Sequence, residues 1–314
     1  MPRLPIILLG GPTGVGKTAF ALELARRLGT EIINADSMQV YRFMDIGTAK
    51  PTREERLAVT HHLLDVVNPD EPFDASLYAD MAHPLVAALH QRGKIALVVG
   101  GTGLYMKTLT RGICPGAPSS AAERLRLLRR LEDHGLKTLH DELKEVDPLL
   151  GGKIHPNDRQ RILRALEVFR LTGRPLSYWQ EQHRFGECRY ESVTIVLSRD
   201  RKELYQRIDR RVQKMMDQGF LNEVEGLLRM GYGPGLKPMQ SLGYSQLVRH
   251  LSGECSLEDA VGEIQRETRR YAKRQLTWFR GDPEFQWFHP EEGEKVMDLV
   301  GLRLKSLADH HPIP

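Results

Sequence analysis

Residues 11–18 read GPTGVGKT, the spacing G-x-x-x-x-G-K-S/T, between an apolar run at 4–10 and an amphipathic stretch at 19–28. A strand feeding a glycine-rich turn that opens a helix is the context in which this spacing binds phosphate. The glycines let backbone N–H groups converge on phosphate oxygens, and the helix N-terminus adds the positive end of its dipole. Gly11, Pro12, Thr13, Gly14, Val15, Gly16, Lys17 and Thr18 are therefore expected to form a phosphate-binding loop. Lys17 supplies a mobile positive charge, and the Thr18 hydroxyl is the usual Mg²⁺ ligand. The motif selects a diphosphate or triphosphate without fixing the reaction.

Such a loop needs a sheet behind it. Short apolar runs predict strands at 4–10, 31–35, 62–66 and 94–100, and a run at 192–198 resumes the pattern. Two of these runs do not alternate, as expected for strands covered on both faces. The rhythm stops between 112 and 190. CPGAPSS, from Cys114, breaks the chain, and amphipathic helices follow. One starts near Ala121, with Leu125, Leu128 and Leu131 on its stripe; another starts after Pro156, with Ile162, Leu166 and Phe169. Later helices break at Gly219 and in the 231–238 loop, and the last long one covers about 257–280. The expected fold class is α/β: a P-loop parallel sheet flanked by helices (1–113 and 191–314), with an all-helical domain inserted at 114–190.

Composition narrows the setting. The 314 residues, 40% hydrophobic and 27% charged, suit a globular protein. No stretch approaches the roughly 18–20 apolar residues of a membrane span, and the N-terminal run is too short for a signal peptide. Cys114, Cys188 and Cys255 lie far apart, which predicts neither a disulfide framework nor a zinc site and places the chain in a reducing cytoplasm. The net charge of +4 is unevenly spread. Residues 151–190 hold Lys153, Arg159, Arg161, Arg164, Arg170, Arg174, Arg184 and Arg189 against Asp158, Glu167, Glu181 and Glu187. That local excess suits a phosphate-rich partner or a solvated helix face; charge alone leaves both open.

DSMQ at 36–39 closes the second expected strand and GGTGLY at 100–105 the fourth, both at the carboxyl edge where open α/β sheets bind ligands. By position, Asp36 is a metal ligand, a ribose contact or a helix N-cap. The fourth strand ends in Gly100, Gly101 and Thr102 without the acid an ATPase carries there, which argues against ordinary ATP hydrolysis. A nucleotide or small-molecule kinase leaves that acid-free edge and the local basic excess unexplained. A non-catalytic nucleotide-binding RNA adaptor gives Asp36 no work.

The loop at 11–18, DSMQVYRFMDIGTAKP from Asp36 to Pro51, HHLLD at 61–65, GGTGLY, QRILR at 160–164, Gly243 with Tyr244, and TRRYAKRQLTWFR at 268–280 carry a specific likeness. With them the chain resembles the tRNA dimethylallyltransferase (tRNA isopentenyltransferase) family over nearly its whole length, in the bacterial form. Gly14, Val15 and Phe43 depart from the pattern without changing the chemistry.

The resemblance implies that the loop holds dimethylallyl diphosphate with Mg²⁺ and that a tRNA adenine amine, 3′ to the anticodon, is alkylated. Lys17, Mg²⁺ and an arginine would neutralise the departing diphosphate. Arg207 or Arg211 supplies that arginine, with Arg211 favoured by motif alignment. Asp36 is implied as base or orienting acceptor for the amine, and Thr102 as a hydroxyl pinning the amine or the allylic end. Thr102 also reads as a turn-stabilising hydroxyl. The adenine must leave a stacked loop, at a cost of a few kcal/mol. Asp36, Ser37, Met38, Gln39 and Thr102 are the implied contacts to it, and Gln160, Arg161, Ile162, Leu163 and Arg164 the implied contacts to the tRNA. Gln160 and Arg164 share a stripe opposite Ile162, Leu166 and Phe169, which leaves the arginines for the anticodon loop. Residues 266–280 suit RNA contact and packing equally, with Tyr271, Trp278 and Phe279 expected in the core. His61 and His62 are expected to be structural, and the enzyme to act as a monomer.

Overall fold

The computed structural model describes residues 4–112, 119–183 and 188–310. Its strands are β1 (Leu4–Gly10), β2 (Ile32–Asn34), β3 (His61–His62), β4 (Ala96–Val99), β5 (Tyr190–Leu197) and β6 (Gln286–Phe288). They form one parallel sheet in the order β3-β2-β4-β1-β5-β6. The helices are α1 (Lys17–Leu28), α2 (Arg53–Ala58), α3 (Ala75–Gln91), α4 (Gly103–Arg111), α5 (Ala121–Val146), α6 (Pro148–Lys153) and α7 (Arg159–Thr172). They continue with α8 (Leu176–His183), α9 (Arg201–Asp217), α10 (Phe220–Arg229), α11 (Tyr244–Leu251), α12 (Leu257–Arg280) and α13 (Gly293–His310).

Successive strand side chains point to opposite faces. Ile6 and Leu8 thus enter one core with Ile33 and Val98, while Ile7 and Leu9 enter another with Ile32 and Leu97. Burial on both faces explains the unbroken apolar runs. The strand expected at 62–66 is instead His61–His62, because Leu63 and Asp65 hold left-handed φ values of 61° and 56° that end the extended chain. β6, three residues long, carries no period that a sequence reading detects. The two histidines hold structure: His61 Nδ1 lies 2.8 Å from the Val59 carbonyl, and His62 Nε2 lies 2.8 Å from Glu31.

The chain divides into two compact units, Met1–Thr110 with Arg189–Pro314, and Arg111–Cys188. Tyr190, expected in the helical insertion, instead opens β5 opposite Leu4, so strand pairing claims it for the α/β unit. The breaker at 114–118 lies outside the described residues, as do Arg184 and Glu187. In the second unit, Leu127, Leu139 and Leu143 of α5 pack with Ile162, Leu163 and Leu166 of α7. Leu125 is 51% exposed, since the buried stripe of α5 runs through Leu127 instead. Phe169 is only half-buried. No helix among the described residues is long and apolar enough to cross a membrane.

At the carboxyl edge β2 and β4 leave no room for a side chain. A Cβ on Gly100 would lie 2.0 Å from the Ala35 carbonyl oxygen, which already accepts the Thr102 N–H at 3.1 Å. Gly100→Ala is expected to cost about 3 kcal/mol and to lower the melting midpoint by roughly 6–12 °C. A melting curve matching wild type would show that this edge yields freely.

Candidate active site

Helix α1 starts without a side-chain cap. Its N-cap is Gly16, in a left-handed φ of 107° that glycine adopts at little cost. The first-turn N–H groups are therefore left for a ligand, at the positive end of the helix dipole. Lys17 Nζ curls back to donate to the carbonyls of Gly11 (2.8 Å) and Pro12 (2.9 Å). Two arginines hold the loop through its own carbonyls: Arg207 Nε donates to Gly14 and Arg199 Nε to Val15, each at 2.9 Å. Gln275 of α12 accepts the Thr13 N–H at 2.9 Å and donates to the Gly101 carbonyl at 3.0 Å. One buried amide thereby ties the phosphate loop to the end of the fourth strand.

The end of β2 faces the same space. Asp36 Oδ1 accepts the N–H groups of Met38 (2.9 Å) and Gln39 (3.4 Å), which closes a tight turn. Thr102 Oγ1 accepts the Ser37 N–H at 3.0 Å. A cavity of about 790 Å³ has Lys17, Thr18, Asp36, Ser37, Met38, Gln39 and Arg211 in its wall. Its cations are Lys17, Arg207, Arg210, Arg211, Lys214 and Arg274, against the acids Asp36 and Glu55. Such a surplus favours an anionic ligand.

These charged groups are partly buried in the cavity wall. Burial lowers the Lys17 ammonium to a pKa of about 7, while Asp36 draws it up and Arg211 pushes it further down. Burial also lowers the Arg211 guanidinium, opposed by Asp36. Lys17, Asp36 and Arg211 therefore interact through a poorly screened medium.

Residues 39–282 match the family model described as IPP transferase. The tRNA dimethylallyltransferase of Syntrophobacter fumaroxidans is 66% identical over 308 residues, spanning 98% of this chain and 89% of that one. This chain belongs to the tRNA dimethylallyltransferase family. The tRNA dimethylallyltransferase of Geobacter sulfurreducens is 49% identical over 285 residues, spanning 91% of this chain and 92% of that one. The full-length tRNA isopentenylpyrophosphate transferase from Bacillus halodurans has a similar structure, with a TM-score of 0.73, 37% identity and coverage of 98% and 100%. A eukaryotic dimethylallyltransferase acting on tRNA is similar at a TM-score of 0.74 and 28% identity, with 91% of this chain and 74% of that one covered. Membership of this transferase family sets the kinase alternative aside.

The family motifs do not all fall where their spacing suggested. The whole loop, Asp36 with its turn, Thr102 and Arg211 belong to one unit. Ile162 and Leu163 are core residues at 0% exposure, where α7 packs on α5. Arg164 is not left free either: it donates to Glu167, whose side chain is 4% exposed, at 3.0 Å. Gln160 accepts from Arg124 at 2.6 Å, whereas Arg161 stands 71% exposed with only a 3.5 Å approach to Asp158. Tyr271, expected in the core, lines the cavity, and burial raises its hydroxyl pKa. Phe279 is core, and Trp278 packs beside it. Sequence reasoning missed Gln275 and Arg274. Both lie in the 268–280 run, but only the fold shows which of its side chains turn to the cavity.

Proposed function

We propose that this enzyme transfers a dimethylallyl group from dimethylallyl diphosphate to the N6 amine of the tRNA adenosine 3′ to the anticodon, releasing diphosphate. The observation that carries this reading is the shared cavity: an uncapped phosphate loop and a carboxylate with one oxygen committed to its turn face the same electropositive space. The N6 lone pair attacks the primary allylic carbon as the carbon–oxygen bond to diphosphate breaks. Lys17, Arg211 and the loop N–H groups stabilise the charge that grows on the departing oxygen. Asp36 accepts the proton that leaves N6, through the oxygen its turn does not use. The Thr102 hydroxyl accepts from Ser37, and its own hydrogen stays available to orient the reacting groups.

Thr18 offers a hard oxygen on the first turn of α1, in the wall of the same cavity. A single protein oxygen there suits a Mg²⁺ shared with substrate phosphates rather than caged by protein. Bound there, Mg²⁺ would add to the neutralisation of the leaving diphosphate. The direct test incubates the protein with dimethylallyl diphosphate, Mg²⁺ and tRNA and looks for prenylated adenosine in the digested RNA. Its absence would sink this reading.

The same reading has a monomer acting in the cytoplasm and the helical unit gripping tRNA. Arg161 gives the cleaner RNA test, because Arg164 partners a buried carboxylate. Arg161→Ala is expected to weaken tRNA binding and to reduce its log–log salt slope by about one. An unchanged slope would make Arg161 a solvated charge only.

A further inference from the structure

Glu223 of α10 lies outside the family motifs, yet its carboxylate accepts four hydrogen bonds. Oε2 accepts the N–H groups of Asp45 (2.8 Å) and Ile46 (2.6 Å). Oε1 accepts the N–H of Gly47 (3.1 Å) and the hydroxyl of Tyr244 (2.7 Å). Three successive backbone donors wrapped on one carboxylate make a rigid anion nest. The loop so held continues into Thr48 and Ala49, whose carbonyls both accept from Gln39 Nε2, at 3.1 and 3.2 Å. Ala49 keeps a left-handed φ of 48° at this point, a conformation that non-glycine residues hold only where their surroundings impose it. The Gln39 backbone is fixed as well, its N–H on Asp36 and its carbonyl accepting from Asp65 at 3.3 Å.

The consequence is chemical. An amide nitrogen has two hydrogens, and both of those on Gln39 are spent on carbonyls. Gln39 lines the cavity beside Asp36, so what it offers a ligand is its oxygen, an acceptor only. We propose that Glu223 is a positioning residue that holds Gln39 as an acceptor-only reader of the exocyclic amine of the target base. This inference rests on the proposed reaction. The adenine amine carries two hydrogens: one goes with the bond that forms, to Asp36, and the other points to Gln39. A base with a 6-oxo group would set oxygen against oxygen and be rejected.

The test compares binding of two anticodon stem-loops, one with adenine at the target position and one with hypoxanthine. Wild type is expected to prefer adenine by at least about 10-fold. Gln39→Met keeps the length of the side chain without the acceptor, and should bring the ratio within about 3-fold of unity. Glu223→Gln should erode the same ratio, because a loosened loop lets the Gln39 amide rotate and donate. A ratio as in wild type for Gln39→Met would overturn the proposal. Glu223→Gln with a lower melting midpoint but an unchanged ratio would reduce Glu223 to a structural residue and overturn its positioning role. Failure of wild type to prenylate the adenine stem-loop would instead defeat the proposed reaction itself.

Discussion

Asp36→Asn is expected to lower single-turnover prenyl transfer by roughly 10²–10⁴, the usual range for general acid–base assistance. The substitution is clean because of the turn that Asp36 closes. Its Oδ1 accepts from Met38 and Gln39, and an Asn side-chain oxygen accepts those same bonds, so the local fold should stand. What changes is the other oxygen, which becomes an NH₂ group that cannot take a proton, and the negative charge that offsets Lys17 and Arg211. Affinities for tRNA and dimethylallyl diphosphate should move far less than the rate, since the lost interaction matters mainly in the transition state. Two results would remove Asp36 from the chemistry. A near-wild-type rate would leave it as a turn residue, and full rescue by added Mg²⁺ would make it a metal ligand.

Lys17→Ala should cost about 10²–10³ in turnover, the loss that follows removal of one preorganised donor from a developing anion. tRNA affinity should largely persist, because the grip proposed for the helical unit does not involve Lys17. The native lysine should also show itself through pH. Burial holds it near pKa 7 without ligand, and a bound diphosphate raises that value by favouring the charged form. Binding above pH 7 therefore takes up a proton. Affinity for dimethylallyl diphosphate should fall about tenfold per pH unit above 7, and uptake at pH 8 should approach one proton. Calorimetry without tRNA, in buffers of different ionisation enthalpy, measures that uptake directly; Lys17→Ala should abolish it. Equal turnover in the variant, or no proton uptake in wild type, would separate Lys17 from the leaving group.

The amino-acid sequence by itself determined what rests on near neighbours in the chain. The glycine-rich turn is a local object: its left-handed glycines and an uncapped helix start lie within eight consecutive residues, so spacing alone placed the turn and the helix that follows it. The sheet was legible for a related reason, because strands buried on both faces must be apolar throughout. The helix expected at about 257–280 spans Leu257–Arg280 in the structure, between a Ser256 cap and Gly281, stop signals that sit beside the element they end. The long Asp36 run and its companions fixed the family for the same reason: the information lies in contiguous residues.

Tertiary structure alone decided which side chains converge. Gln275 and Thr13 are 262 residues apart, and no period or motif joins them. Glu223 meets residues 45–47 by reaching across from α10, where its own neighbours mark it as one surface acid among many. Helical periodicity assigned Ile162 to the core correctly, and only the packing of α7 on α5 shows that Leu163, in the same 160–164 motif, is buried with it. Tyr271 went the other way, an aromatic whose apolar ring suggested a core and whose helix face turns to the cavity. Hydrophobic pattern reports how much surface a residue hides. Which partner hides it is a matter of long-range packing, and that is where the active site was assembled.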